Sequence, residues 1–561
     1  MTIKNGTPLS WFPQGLSDCL DSTPVFPGAM SALQNLIPDQ STKNIWTCRP
    51  ASTLAVDFSK TGGAFNSAFS SAFDIGYANS TAFISLLLIS GQRAYGMVSS
   101  KNFPGFDVPF SFNLVSGTFD PITGITSSNI PASPATSGAW TPPTADVIGT
   151  NVVVTHPGFN GGGNGYFGTL NISTLAAPAW KSGNTASTAL AAVPVAVKNF
   201  NQRAWYLVNP PGGAQPGAYY SDVLASDTVT AGTQILTFDD NAPLTALGAL
   251  PLNNQLGGII QALIVFKGAS NTYQVTGDAA ASPSSTLARN ALNIATGTLA
   301  PLSICPTPRG LAFMAPDGVR VIDFTARVSD VIGLSGAGIS VPFTYAVVPS
   351  RVCAACNMSV IRLSVQNGNM ASNPTQEYWY DMARESWSGP HSFPASLIEP
   401  YTNTFIMSPV GVLSKLFNSQ SFQSLTSTFT ENGSVMSFSY RTAPLPNTGQ
   451  IASNFISETT VDMAKVAGSS YTVVFTNQQN TVVDTVTVSQ SGVSDLWGAF
   501  NWGAANWGTA TSVIAPQKIN WNLPLVIDQG SLQVTGTCEQ GVKFGKVYLR
   551  YSVLGYLANA A

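Results

Sequence analysis

Ala262-Leu-Ile-Val-Phe-Lys267, Gly268-Ala-Ser-Asn271 and Thr272-Tyr-Gln-Val-Thr276 read as strand, polar turn and strand. The apolar run is too short for a helix with a buried face, and Gly268 and Asn271 tolerate the positive φ of a hairpin turn. Leu311-Ala-Phe-Met314, Ala315-Pro-Asp-Gly318 and Val319-Arg-Val-Ile322 repeat the design around a Pro-Asp-Gly turn. Outward from these two hairpins, similar leading strands begin near Phe83, Val152, Arg203, Val360 and Thr404. The seven marks stand about 44 to 69 residues apart, close to the ~40 to 50 residues of a four-stranded propeller blade. One unit adds Glu377-Tyr-Trp-Tyr-Asp381, an aromatic strand that turns into a second one ending at Trp387. Apolar faces at three-and-four spacing are soon broken by Pro or Gly. The expected fold is mainly β, a β-propeller of six to eight blades over residues 51–420. Two stacked β-sandwiches would give similar strand density and form the alternative.

The flanks read differently. The widest interval holds Pro131 to Pro143 and predicts an inserted loop near residues 118–148. From about Ser421 the chain carries Ser437-Phe-Ser-Tyr-Arg441, an alternating hairpin from Tyr471 to Val488, and a closing strand Lys546-Val-Tyr-Leu-Arg-Tyr551. Such alternation fits an antiparallel sheet with one buried face, so residues 421–561 are expected to form a β-sandwich-like unit. Residues 1–50, with Pro8, Pro13, Pro24, Pro27 and Pro38 and no clear alternation, predict an extended arm that orders by packing on something else. A neighbouring subunit is its natural partner.

Composition narrows the function classes. Only 9% of the 561 residues are charged, against about 25% in a typical soluble protein. The 24 Lys and Arg stand against 27 Asp and Glu, a net charge of −3. That balance supplies no basic field to grip nucleic acid. Eleven Trp, 16 Tyr and 30 Phe supply enough apolar area to rule out a disordered chain. Met1 to Cys19 lacks a basic stretch followed by an apolar one, and the longest apolar runs, Phe83 to Ile89 and Ile259 to Phe266, fall short of the roughly 20 residues of a membrane helix. The expectation is a soluble chain made in a cytoplasm. Six cysteines are too sparse for a disulfide framework. Cys353 and Cys356 lack the second ligand pair of a zinc site, so they read as core thiols. Asn79, Asn171 and Asn432 begin glycosylation tripeptides that, without a secretory signal, read as chance matches.

Catalytic constellations are poorly supported. His156 and His391 are the only histidines, each beside a proline, and read as loop or rim residues; no Gly-x-Ser-x-Gly elbow accompanies them. Gly161-Gly-Gly-Asn-Gly165 lacks the Gly-Lys-Ser/Thr ending of a phosphate loop and reads as a hairpin tip. Asp107, Asp120, Asp222, Asp239, Asp240, Asp278, Asp317, Asp323 and Asp381 could furnish the two carboxylates of a glycosidase, held ~5 to 9.5 Å apart. Most of them sit where Asp serves a turn. Asp239-Asp240-Asn241 lacks the spaced ligand ladder of a calcium loop. Trp497, Trp502 and Trp507 recur every five residues and could stack on sugar rings or pack in a sheet or subunit interface. Stacking on nucleic-acid bases is disfavoured by the lack of basic residues in that segment. No catalytic, cofactor-binding or metal residue is assigned, and neither an enzyme activity nor a cofactor is expected.

Several stretches taken in order carry a resemblance: Asn35-Leu-Ile-Pro-Asp39 before Arg49-Pro50, Arg93-Ala-Tyr-Gly96 ahead of Phe110-Ser-Phe-Asn-Leu-Val-Ser-Gly117, and Arg203-Ala-Trp-Tyr-Leu207 with Tyr220-Ser-Asp222. Pro316-Asp-Gly-Val-Arg320 and the ending Gly545-Lys-Val-Tyr-Leu-Arg-Tyr551 with Leu554-Gly-Tyr556 complete it. Together they resemble the tail tube or nozzle proteins of short-tailed bacteriophages. The resemblance implies a virion protein with a β-propeller, assembled as a homohexameric ring below the portal and adaptor, beside tail fibres or spikes, around a channel through which genomic DNA leaves without specific binding. It carries over no catalytic residues. A chain with few cations suits such a conduit, because each phosphate contact would add friction. It further implies that the arm and the 421–561 unit make many of the ring contacts, so that removing residues 1–45 would block assembly and leave a folded body. The alternative is a glycan-binding or glycan-cleaving propeller that recognises a host receptor through Trp497, Trp502 and Trp507. A cellular propeller scaffold for protein partners is a third class.

Overall fold

The computed structural model describes residues 7–16, 28–58, 83–99, 105–120, 122–125, 130–134, 141–159, 165–175, 190–229, 233–253, 258–279, 286–332, 348–365, 375–412, 414–424, 426–445, 452–464, 469–489 and 514–556. Among them the only helical elements are two short 3-10 turns, Pro301–Ser303 and Pro349–Arg351, and the rest of the regular structure is β.

Seven antiparallel blades form the propeller. Six stand as separate three- or four-stranded sheets, and the other is one end of a ten-stranded sheet. The innermost strands are Ile84–Ser90, Thr144–Ile148, Ala196–Phe200, Leu244–Asn253, Cys305–Thr307, Cys353–Asn357 and Ala395–Tyr401. Each touches the next around the axis, and the last touches the first, so the ring closes. Closure uses both ends of the 51–420 body. Thr53–Asp57 pairs with Lys415–Gln420 as the fourth strand of the last blade, with Asp57 opposite Lys415 and Thr53 opposite Asn418. A blade buries both faces against its neighbours, which is why its strands read as nearly continuous apolar runs such as Arg203–Val208 and Gly310–Ala315, buried throughout.

Both hairpins that fix the fold are present, with Asn271 in the strand and not in the turn. Lys267 pairs with Asn271 across a turn in which Gly268 has φ +62°. Ala315 pairs with Gly318 across Pro316 and Asp317, and Asp317 binds the Arg320 guanidinium through both carboxylate oxygens. Gly318 has φ +141°, where a Cβ would also meet Val331 at 2.6 Å. The inserted stretch lies between Thr118–Phe119 and Thr144–Ile148. Of its described residues, Ile125 and Ile130 pack against the first blade and Ala132 bridges Phe106.

Beyond the propeller two sheets face one another. One holds Thr7–Trp11, Leu36–Pro38, Trp46–Cys48, Ala452–Ala464, Ile514–Ile519, Leu525–Ile527 and Lys543–Tyr556. The other is the ten-stranded sheet, which leaves the sixth blade at Ser386–His391 and continues through Ala29–Gln34, Ser437–Thr442, Gly530–Thr537, Ser470–Asn477 and Val482–Ser489. Phe544 meets Phe438, Tyr440 and Tyr471 across the gap, with ring centroids 5.0, 5.3 and 5.7 Å away. The Tyr440 hydroxyl donates to the Gly545 carbonyl at 2.6 Å, so the polar end of this buried ring is satisfied.

The N-terminal segment differs from the expected extended arm. Ala29–Gln34 is the strand between blade and C-terminal unit, pairing Leu33 with Gly389 on one side and with Tyr440 on the other. Thr7–Trp11 and Trp46–Cys48 pair with Lys543–Tyr556. The segment therefore packs on its own chain. It shows no alternation because strands such as Leu36–Pro38 and Trp46–Cys48 are buried on both faces.

Candidate functional site

A cavity of about 150 Å³ on the propeller axis is lined by six of the innermost strands and, for the fifth blade, by Pro301, Leu302 and Ile304 just before its first strand. Every blade contributes to its wall, which is mostly aliphatic: Leu87, Val197, Leu247, Ile304, Ala354 and Ile398 come from six different blades. Two charged side chains, Lys198 and Glu399, also line it. Lys198 Nζ lies 2.9 Å from Asp146 Oδ2 on the neighbouring blade. The same oxygen accepts the Asn199 backbone N–H at 2.8 Å, and Oδ1 accepts that of Val147 at 2.9 Å. The Asp146 carboxylate thus has the Lys198 ammonium and two backbone amides around it.

Glu399 has the opposite environment. It sits in the apolar run Ala395–Tyr401, paired with Ile406, where burial disfavours its charged form. Burial and the Asp146 charge push its carboxyl up, Lys198 opposes them, and the result is about 8. A carboxyl kept protonated near neutral pH can serve as a general acid. The sequence signal for this trio is a single ion inside an otherwise apolar first strand of a repeat, as in Ala196-Val-Lys-Asn-Phe200 and Ala395-Ser-Leu-Ile-Glu399. The survey of turn aspartates passed over it.

A pH effect follows. The Glu399 carboxyl is raised above its unfolded value, so its contribution to stability is complete below about pH 4.5. That contribution fades as pH climbs through about 8, because the unfolded chain releases the proton more readily. Glu399→Gln removes this slope. The variant is expected to match the parent near pH 4 and exceed it at pH 9 by roughly 1–3 kcal/mol, allowing for water that reaches the cavity. Parallel denaturation profiles at the two pH values would contradict this.

The described histidines and aspartates singled out in the sequence are engaged in structural contacts. His156 is fully buried and lies 3.1 Å from Asp107, whose carboxylate also accepts the Ser85 and Ser133 hydroxyls. The serines bond the carboxylate and not the imidazole, so the group stitches the first blade to the second and activates no nucleophile. His391 Nδ1 accepts the Asn35 backbone N–H at 3.1 Å and its Nε2 faces Ser388 Oγ at 3.1 Å. Burial, with Arg49 and Arg362 nearby, holds its pKa well below the usual histidine value, so the ring is neutral. Asp239 binds Arg289, Asp240 binds Lys267 and Asp120 binds Arg93. Asp323 and Asp381 serve turns, Asp278 is tied to Thr286 through its backbone, and Asp222 holds Gln234. No group of three or more metal-ligating side chains occurs among the described residues. Cys353 and Cys356 lie three apart on one strand and face opposite sides, packing into different clusters. Trp497, Trp502 and Trp507, residues 161–164 of the glycine run, and Asn79 lie outside the described residues.

No family model and no curated protein matches the sequence. Among solved structures, the SapL1 lectin in complex with alpha methyl fucoside aligns at 14% identity over 55% of this chain and 95% of its own, with a TM-score of 0.31. AofleA from Arthrobotrys oligospora aligns at 10% identity over 68% and 94%, with a TM-score of 0.30. A family 43 arabinoxylan arabinofuranohydrolase from Bacillus subtilis aligns at 10% identity over 89% and 99%, with a TM-score of 0.22. The propeller assignment rests on the blade sheets of this chain.

Proposed function

We propose that the chain is a structural subunit of a short-tailed phage tail, a nozzle or tube segment that forms a hexameric ring below the portal and adaptor. Its site of action is the virion, beside fibres or spikes and near the host surface. The support comes from charge and the ordered sequence resemblance. The observation that carries the reading is how the few cations are spent. Among the described residues, twelve Lys and Arg are held in ion pairs with carboxylates of the same chain. A surface so short of free positive charge makes few phosphate contacts, and DNA slides past it. The axial cavity, about 150 Å³, is far too small for a duplex. A duplex therefore passes between subunits of the ring and not through a propeller axis.

Electron microscopy of the purified protein, alone and mixed with a portal complex, is expected to show six-fold rings that stack on the portal. Binding to duplex DNA is expected to be negligible at physiological salt. Isolated subunits that never join virions would sink the proposal.

One observation favours a second reading, a glycan-binding or glycan-cleaving propeller: Glu399, whose carboxyl burial pushes up to about 8, lines the axial cavity together with Lys198. Oligosaccharide release that disappears in Glu399→Gln would select it over the tail reading.

A further inference from the structure

We propose that Cys48 and Cys538 form an oxidation site, a latent disulfide that fastens the strand Trp46–Cys48 to the C-terminal unit. The backbone brings the two thiols together. Trp46 and Thr47 pair with Phe544 and Lys543, and Thr47 Oγ1 donates to the Val542 carbonyl at 2.9 Å. The Val542 N–H reaches back to the Glu539 carbonyl at 3.4 Å, which turns residues 538–542 over the end of that strand. Cys48, next after Thr47 on its strand, and Cys538, at the start of that turn, are thereby neighbours, both buried in the same hydrophobic cluster and close enough for each thiol to bear on the other's protonation.

Both cysteines are held from their backbones as well. Cys538 donates its N–H to the Met436 carbonyl at 2.7 Å, and the Cys48 carbonyl accepts from Gln423 Nε2 at 3.4 Å. A disulfide demands closely approached cysteines, and a neighbouring pair with anchored backbones lets it form by a local adjustment of the turn. Both thiols are free in this structure. The other free cysteines of the described chain, Cys305, Cys353 and Cys356, belong to the propeller, away from this turn.

The chemistry needs a small-molecule disulfide such as oxidised glutathione. One protein thiol loses its proton and attacks the oxidant, releasing one glutathione thiolate and leaving a mixed disulfide. The second protein thiolate attacks the protein sulfur of that mixed disulfide and expels the other glutathione. Two S–H bonds are exchanged for one S–S bond, and the oxidant is reduced to two thiols. Burial keeps the Cys48 thiol protonated, so the exchange proceeds through brief opening of the turn and is slow. The closed loop runs from residue 48 to residue 538, nearly the whole chain. In the chain-entropy account a loop of that length restricts the unfolded state more than any shorter cross-link. The bond forms only where the surroundings are oxidising, so it fastens the N-terminal strand after the chain has left a reducing compartment.

The test uses the full-length protein incubated with oxidised glutathione, then alkylated, digested and mapped without reduction. The expected product is a peptide pair containing Cys48 and Cys538, lighter by two hydrogens than its parts and split by a reductant. The thermal midpoint is expected to rise by roughly 3 °C or more. Cys48→Ser lacks both effects under the same treatment, and Cys538→Ser serves if the first variant does not fold. Recovery of both cysteines fully alkylated after prolonged exposure, or pairing of either with a propeller cysteine, overturns the site. A cross-link that leaves the midpoint unchanged overturns its fastening role.

Discussion

Deletion of residues 1–45 is expected to yield insoluble or protease-sensitive protein and not a folded body that merely fails to assemble. The segment contributes Trp11, Leu16, Met30, Leu33 and Leu36 to the largest hydrophobic cluster, each at most 4% exposed. At ~1.5–3 kcal/mol for each large apolar side chain, these five alone contribute on the order of 10 kcal/mol. That matches the whole stability of a typical domain, ~5–15 kcal/mol. The loss is also topological. Ala29–Gln34 lies between Ser386–His391 of the sixth blade and Ser437–Thr442, so its removal exposes two strand edges in the middle of a ten-stranded sheet. Unpaired interior edges invite association with other chains. Soluble yield and limited proteolysis, compared with deletion of residues 1–6 alone, check the expectation. A truncated protein with the parent's melting temperature would show that the strand is dispensable.

The failure to foresee this role has a physical cause. Local reading detects period-two alternation and turn chemistry, and both were present where the hairpins at Lys267 and Ala315 fold on themselves. It has no access to pairings such as Leu33 with Tyr440, which lie about 400 residues apart in a strand lacking an exposed face. The blade spacing was legible for the same reason that the hairpins were. Six of the seven marks fall on the second strand of a blade, while Phe83 precedes a first strand, Ile84–Ser90. Measured from Arg93, the wide first interval shrinks to about 59 residues, and the stretch between Phe119 and Thr144 accounts for the remaining excess. The axial trio was hidden differently. Nothing in a linear sequence reports that Lys198 and Glu399 line one cavity, because that follows only from ring closure. Aspartates at turns were easier to notice and did no more than turns require.

The joint between propeller and C-terminal unit carries the second large effect: Glu431→Ala is expected to cost about 3–5 kcal/mol, the penalty for stranding a buried charge. Arg49 and Glu431 are almost inaccessible to solvent and meet through two parallel contacts, Nη1 to Oε1 at 3.0 Å and Nη2 to Oε2 at 2.7 Å. The remaining donors of Arg49 reach Asn35 Oδ1 and the carbonyls of Pro50 and Ser392, while Oε1 also accepts the Ser52 N–H. One guanidinium thereby ties the N-terminal strand, the start of the propeller and the link between its last two blades to the C-terminal unit. A second buried pair, Arg362 with Glu377, lies close enough that Arg49 and the burial itself both lower the Arg362 pKa. Removing the Glu431 carboxylate leaves two guanidiniums sharing one glutamate in a medium that screens them poorly. The double variant Arg49→Met with Glu431→Leu is expected to regain most of the loss, since a buried ion pair replaced by packed apolar groups is often neutral. Denaturant midpoints of the single and double variants decide the matter: a Glu431→Ala protein within ~0.5 kcal/mol of the parent would mean that the hydrogen bonds to neutral partners hold the joint, and that the charge pairing adds nothing.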